Sequence, residues 1–310
     1  MSKDVNIFAG RSSAYLGQQI ATEYHTQLGK VNFNVFSDGE FKPSFEQNIR
    51  GNAVYIVQST FPPADHLMEL LMLIDAARRA SAKHIIAIVP YFGYARQDRK
   101  DMPRVPITAK LVANLLVAAG LERLVTMDLH ADQIQGFFDI PVDHLYASSV
   151  FVPIIRELGL DNITFASPDA GGTKRAASYA KAFDTDFVMC YKQRSKPNEI
   201  ARMALIGNVK DRNVLLLDDM IDTAGTITKA AELIKNEGAK SVMAFASHAV
   251  LSGNAYERIE NSNFDKVFLT DSIPLKQQSS KIQVVPTAKL FAEVIRKIQN
   301  CESVSSLFQF

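Results

Sequence analysis

The stretch Val214-Leu215-Leu216-Leu217-Asp218-Asp219-Met220-Ile221-Asp222-Thr223-Ala224-Gly225-Thr226 leads an apolar run into two acids and a turn of small residues. Such a passage can hold a sugar phosphate. In an open α/β sheet ligands sit at the carboxyl ends of strands, and the first turn of the next helix offers unpaired N–H groups and a positive dipole end to a phosphate. Ala224 and Gly225 allow close approach, and Thr223 and Thr226 add hydroxyls. Asp218 and Asp219 are acceptors when ionised and suit ribose hydroxyls. A plain strand-to-helix connection with a threonine cap would read alike from Thr223 onward; the acid pair favours the sugar.

Other segments carry chemistry that is weaker one by one. Phe36-Ser37-Asp38-Gly39-Glu40 ends a strand in an aromatic and two acids, which suits stacking on a base beside acceptors for a ribose or amino group, although a surface turn would look the same. Tyr91-Phe92-Gly93-Tyr94-Ala95-Arg96-Gln97-Asp98-Arg99-Lys100 gathers cations and aromatics after an apolar strand, and arginine grips phosphates bidentately. Asp128 and His130 stand two apart beyond another strand, and Asp169 lies in Ser167-Pro168-Asp169-Ala170-Gly171-Gly172. Tyr191 to Glu199 is a basic, polar loop that alone reads as a solvated hairpin. No G-x-x-x-x-G-K-[ST] occurs, so a nucleotide is not expected to bind in the P-loop manner.

These residues need strand ends and helix starts to position them. Short β-branched runs alternate with amphipathic stretches: Val31 to Phe36, Asp65 to Ala80, Ile85 to Val89, a helix after Pro106 with Leu111, Leu115 and Leu116 as its stripe and Gly120 as its stop, then Leu124 to Met127. The rhythm repeats with strands near Ile163 to Ala166, Phe187 to Cys190, Val214 to Leu217 and Val242 to Ala246, and with helices over 173–182, 226–236 and 287–299. Continuous apolar strands indicate parallel sheet buried on both faces. Two α/β domains are expected, 1–147 and 148–310, with the last residues free to pack back on the first.

Bulk properties narrow the partners. Lys and Arg number 34 against 33 Asp and Glu, so no whole-molecule field favours nucleic acid or a membrane surface. Cys190 and Cys301 are far apart without metal-ligand spacing, which fits a reducing cytoplasm. The Val5 to Ala9 stretch is too short for a signal-peptide core.

In order along the chain, F-x-D-G-E, Y-A-R-Q-D-R, D-L-H-A-x-Q-I-Q-G-F-F-D-I-P-V-D, S-P-D-x-G-G and D-D-x-I-D-T-A-G-T resemble the motifs of class I ribose-phosphate diphosphokinases. The last motif alone is shared with type I phosphoribosyltransferases. The resemblance implies two similar domains, each a mainly parallel sheet flanked by helices of the phosphoribosyltransferase type. It implies transfer of the β,γ-diphosphate of Mg-ATP to the 1-hydroxyl of ribose-5-phosphate, yielding phosphoribosyl diphosphate and AMP. It implies ATP binding by Phe36, Asp38, Gly39, Glu40, Arg96, Gln97 and Arg99, and ribose-5-phosphate binding by Arg194, Asp218, Asp219, Asp222, Thr223, Ala224, Gly225 and Thr226. Lys192 and Arg194 would be catalytic, and Mg2+ would be held near His130, Asp128 and Asp169. A cytoplasmic homohexamer activated by inorganic phosphate and inhibited by ADP is also implied. Arg50, Ser81, Lys100, Arg104, Ser303 and Ser305 match that second anion site, but Asn48 and Pro103 stand where the family commonly has serines.

Overall fold

The computed structural model describes residues 5–193 and 202–307, apart from the side chains of residues 192, 193 and 202. Two compact units result, one running to Tyr146 and joined by the segment that starts at Thr287, the other Ala147–Pro286.

The first unit is built from β1 (Val5–Ala9), α1 (Ala14–Glu23), β2 (Val31–Val35), β3 (Phe41–Phe45), β4 (Ala53–Val57), α2 (Asp65–Arg79), β5 (His84–Val89), α3 (Thr108–Ala119), β6 (Arg123–Met127) and β7 (Val142–Leu145). Its main sheet has the order β1-β4-β5-β6-β7, with every pairing parallel. Helices cover both faces, which is why β4 is buried at every position and carries no alternating pattern. β2 and β3 form a separate antiparallel ribbon.

The second unit comprises α4 (Ser148–Glu157), β8 (Ile163–Ser167), α5 (Thr173–Ala182), β9 (Phe187–Gln193), β10 (Arg202–Ile206), β11 (Asn213–Ile221), α6 (Gly225–Asn236), β12 (Ser241–Ala249), α7 (Ala255–Glu260), β13 (Lys266–Thr270) and β14 (Ile282–Val285). Its sheet runs β10-β9-β8-β11-β12-β13-β14, parallel except for the edge pair β9–β10. Strand order therefore reverses between β8 and β11, and such a reversal opens a crevice at the carboxyl ends of the two strands.

The fold is α/β with mainly parallel sheets flanked by helices, as the motifs imply, and some details depart from expectation. The last helix, α8 (Ala288–Gln299), belongs wholly to the first unit. Arg296 donates to the Glu23 carbonyl and Gln299 donates to the Tyr55 hydroxyl at 2.8 Å, while Leu290, Phe291, Val294 and Ile295 are buried. On α3 the buried positions are Ala109, Val112, Ala113 and Leu116, whereas Leu111 and Leu115 are 52% and 41% exposed. The buried face is thus rotated from the expected stripe, of which Leu116 alone is buried. Pro106 precedes the helix rather than opening it, and Gly120 takes the left-handed stop at φ 115°.

Candidate active site

At the β8–β11 crevice the two strands pair in parallel, Ala166 opposite Leu216. Beyond β8, Asp169 accepts the N–H groups of Gly171 at 2.8 Å and Gly172 at 3.2 Å, and the Ser167 hydroxyl donates to its carbonyl. A Cβ on Gly172 would lie 2.7 Å from the Ser167 hydroxyl, so a larger residue there would displace that hydroxyl from its bond to Asp169. Beyond β11, Asp219 is 7% exposed and its N–H donates to Asp218 Oδ1 at 2.9 Å. Arg175, from the first turn of α5, sets Nη1 3.9 Å from Asp218 and 3.8 Å from Asp219.

The charge balance of this cluster is unfavourable by itself. Burial, then the neighbouring Asp219 carboxylate, push the Asp218 carboxyl well above the usual carboxylate range; Asp169 adds to the push and Arg175 opposes it. About a quarter of the Asp218 side chain still faces solvent, so a cation arriving from solution can reach it. A divalent ion would relieve that repulsion, and the donor set fits one. Among the described residues, however, no group of three or more acids, histidines or cysteines converges as a metal cage. An ion here would take most of its oxygens from water and a phosphorylated ligand, which is how Mg2+ is usually held.

The turn that follows prepares an anion seat. Ser252 donates its hydroxyl to Asp222, and its N–H donates to the Asp222 carbonyl at 3.0 Å. Ala224 adopts φ 60°, a left-handed conformation that costs a non-glycine residue about 1–3 kcal/mol. Arg258 of α7 donates to the Thr223 carbonyl at 2.8 Å and fixes the turn from outside. α6 then begins at Gly225 with no side chain capping it. Its first N–H groups are left for an anion.

In the first unit the candidate residues lie on loops. Gly93 passes so close to Thr60 that a Cβ would fall 2.0 Å from the Thr60 carbonyl oxygen, and its N–H donates to Thr60 Oγ1 at 2.8 Å. This crossing throws Arg96, Gln97 and Arg99 to the surface. Thr108 donates its hydroxyl to Gln97 Oε1, and Gln133 reaches Asp98 at 3.5 Å, which ties this loop to the turn after β6. There Asp128 is 6% exposed with φ 38°, and its N–H donates to the Leu145 carbonyl at 2.9 Å. Buried His144 accepts the Leu129 N–H on Nε2 at 2.8 Å, and the next residue, His130, is exposed.

Phe36 to Glu40 forms the tip of the β2–β3 ribbon rather than the end of a sheet strand. Phe36 N–H donates to the Glu40 carbonyl at 2.8 Å, Gly39 turns at φ 95°, and Glu40 N–H donates to Asp38 Oδ1 at 3.0 Å. The Phe36 ring is 46% exposed.

Asp169, Asp218 and Asp219 are thus brought together at one strand reversal with the turn 222–226, and Arg96 to Arg99 lie beside the Asp128–His130 turn. The Lys192 backbone lies in β9 opposite Met203. Its side chain and all of Arg194 lie outside the described residues. Arg175, Arg258 and His144 were not singled out from sequence. Arg175 had a signal, since a cation in a helix's first turn opposes the dipole and calls for an acidic partner. Arg258 and His144 had none, because the backbone groups they hold, the Thr223 carbonyl and the Leu129 N–H, are reached only after folding.

Comparison with known proteins agrees across the whole length. Residues 5–120 match the family model for the N-terminal domain of ribose phosphate pyrophosphokinase, and residues 185–309 match the phosphoribosyl synthetase-associated domain. A ribose-phosphate pyrophosphokinase of Porphyromonas gingivalis is 55% identical over 98% of both chains. One of Campylobacter jejuni is 54% identical over 97% of this chain and 98% of its own. The crystal structure of phosphoribosylpyrophosphate synthetase from Mycobacterium smegmatis superposes with TM-score 0.91 at 37% identity, covering 96% of this chain and 100% of that one. Full-length similarity of this order, on a chain with an acid-lined strand reversal and an uncapped helix start beside it, makes this chain a member of the ribose-phosphate pyrophosphokinase family.

Proposed function

We propose that the chain transfers the β,γ-diphosphate of Mg-ATP to the 1-hydroxyl of ribose-5-phosphate. The observation that carries this reading is the β8–β11 crevice, where an uncapped helix start and the Asp218–Asp219 pair follow one strand; the helix start would seat the 5-phosphate and the two acids would accept from the ribose hydroxyls. Arg96, Gln97 and Arg99 hold the ATP, Phe36 stacks on its base, and Asp38, Gly39 and Glu40 contact the nucleoside. Lys192 and Arg194 neutralise the diphosphate as it moves. Diphosphoryl transfer leaves little covalent work to the protein, so position and charge dominate. Mg2+, when bound, neutralises phosphate charge and orients the oxygens for in-line displacement. Asp169 would hold an ion on the sugar side, and His130 with Asp128 one on the ATP side. Incubating the protein with Mg-ATP and ribose-5-phosphate tests the reading: AMP should appear only when both are present. Release of pyrophosphate from phosphoribosyl diphosphate and a free base, with no AMP from ATP, would instead make it a phosphoribosyltransferase.

The reading extends to regulation and setting. Asn48 Oδ1 accepts the Arg50 N–H at 3.1 Å, while Arg50 donates to the Ser81 hydroxyl at 3.1 Å. A backbone donor that an anion could use is therefore occupied, and Pro103 offers neither hydroxyl nor N–H. Two missing donors weaken phosphate binding by about 1–3 kcal/mol. Shallow phosphate activation and ADP inhibition largely competitive with ATP are expected. Steady-state rates at varied phosphate and ADP check this, and ADP inhibition that excess ATP fails to relieve would contradict it. No helix among the described residues is long and apolar enough to cross a membrane. A cytoplasmic homohexamer completes the proposal, with size measurement in solution as its check.

A further inference from the structure

The ribbon that presents Phe36 to Glu40 hydrogen-bonds to neither main sheet. Two strands alone are marginal in water, so something must hold this pair down. Val31, Phe33, Val35, Phe41, Pro43 and Phe45 share one side by the antiparallel register, and all but the exposed Val35 at the tip are buried or half-buried. Away from the tip, Phe45 meets Phe8 with ring centroids 4.5 Å apart. Nearer the tip the contact is a cation. The Arg11 guanidinium lies 4.6 Å from the centre of the Phe41 ring and 5.1 Å from that of Phe33.

Arg11 is itself fixed from below. Its backbone N–H and its Nε donate to the two carboxylate oxygens of Glu69, each at 2.5 Å. Glu69 has no exposed surface and also accepts from the Gln58 amide at 3.1 Å. A Cβ on the preceding Gly10 would come within 2.5 Å of both Gln58 and Glu69, so the chain runs tight against the carboxylate. A buried carboxylate requires a cation or donors. Only a flat, delocalised guanidinium can serve a carboxylate with its edge and aromatic rings with its face.

We propose that Arg11 is a positioning residue for the nucleotide loop: anchored by buried Glu69, it clasps Phe33 and Phe41 and so sets where Phe36 to Glu40 stand. This rests on the reading of that loop as nucleotide-binding. Two cation–ring contacts at a partly exposed position correspond to about a five- to thirtyfold shift in the equilibrium between docked and undocked ribbon.

Two variants test it by hydrogen exchange and steady-state kinetics on the whole protein. Phe33→Leu with Phe41→Leu leaves the Arg11–Glu69 pair intact; Arg11→Met with Glu69→Gln removes both charges together. Each is expected to speed exchange of amides 31–45 by about five- to thirtyfold over the rest of the first unit. Each should raise the ATP KM by about two- to tenfold, with kcat and the ribose-5-phosphate KM nearly unchanged. A charge pair that serves only the core would lower Tm in the second variant and leave ribbon exchange as it was. That result, or unchanged exchange in a folded Phe33→Leu/Phe41→Leu protein, would overturn the proposal. Phe36→Ala separates the premise: an unchanged ATP KM there, with ribbon exchange still accelerated in the clasp variants, would remove the nucleotide reading while leaving the clasp in place.

Discussion

The two units share an alternating α/β plan and differ in whether strand order reverses within the sheet. In the second, strand order reverses between β8 and β11, and the acids and an uncapped helix start collect at that reversal. In the first, the order β1-β4-β5-β6-β7 advances in one direction, so no reversal opens a crevice. Its candidate residues stand instead on a loop thrown out by Gly93, a tight turn after β6, and a ribbon outside the sheet. A sheet reversal supplies a pre-formed seat for a small rigid ligand, while a sheet without one must build its seat from excursions. We therefore expect sugar-side residues to act on a rigid frame and nucleotide-side residues to depend on how their loops are held.

Perturbations should expose that asymmetry. The largest effect is expected from Lys192→Ala, which on the proposed function would remove a cation from the transferring diphosphate: turnover should fall by about 3–4 kcal/mol, with KM values changing less. Retention of a third of wild-type turnover would correspond to less than about 1 kcal/mol and would contradict the role. Arg175→Met comes next. Without the guanidinium the acid cluster loses its internal counter-charge, so the ribose-5-phosphate KM should rise about tenfold, near 1.4 kcal/mol, and the free Mg2+ needed for half-maximal activity should fall, while the ATP KM stays. An effect on ATP alone would break the division between the units. Phe36→Ala should raise the ATP KM by about fivefold or more, from the roughly 1–3 kcal/mol of one base–ring stack, with ribose-5-phosphate unaffected.

The smallest effect concerns proton linkage. The Asp218 carboxyl is raised in the fold, so the folded protein binds the proton more tightly than the unfolded chain does. Its contribution to stability is complete below the unfolded carboxylate value and is lost as pH rises through the raised one. Without Mg2+, Tm should therefore decline over that range more steeply in the native chain than in Asp218→Asn. Added Mg2+ should flatten the decline, and identical slopes in both proteins would contradict the crowded-acid account.

Most of the second unit's candidate site was legible in sequence, because a buried strand, its terminal acids and the following helix start are contiguous from Val214 to Thr226. Local spacing sufficed there. The first unit was less legible for the same reason that its site is scattered. Phe36 to Glu40 read as a strand end because the partner strand Phe41–Phe45 contains Pro43 and alternates with exposed polar residues, a weak strand signal. On α3 the leucines are the stronger apolar signal, yet Leu111 and Leu115 are exposed while Ala109 and Ala113 are buried, and an alanine marks a buried face only weakly in sequence. Arg11, His144 and Arg258 act on groups 58, 15 and 35 residues away, and no local pattern encodes such meetings.

Hydrogen exchange of the whole protein, with ribose-5-phosphate alone and with a non-hydrolysable ATP analogue plus Mg2+ alone, tests the division of labour most directly. Ribose-5-phosphate should protect the amides of residues 222–228 and leave the first unit unchanged. The analogue should protect residues 36–40 and 93–99. Protection of the 222–228 turn by the analogue alone, or of the 36–40 loop by ribose-5-phosphate alone, would contradict the account.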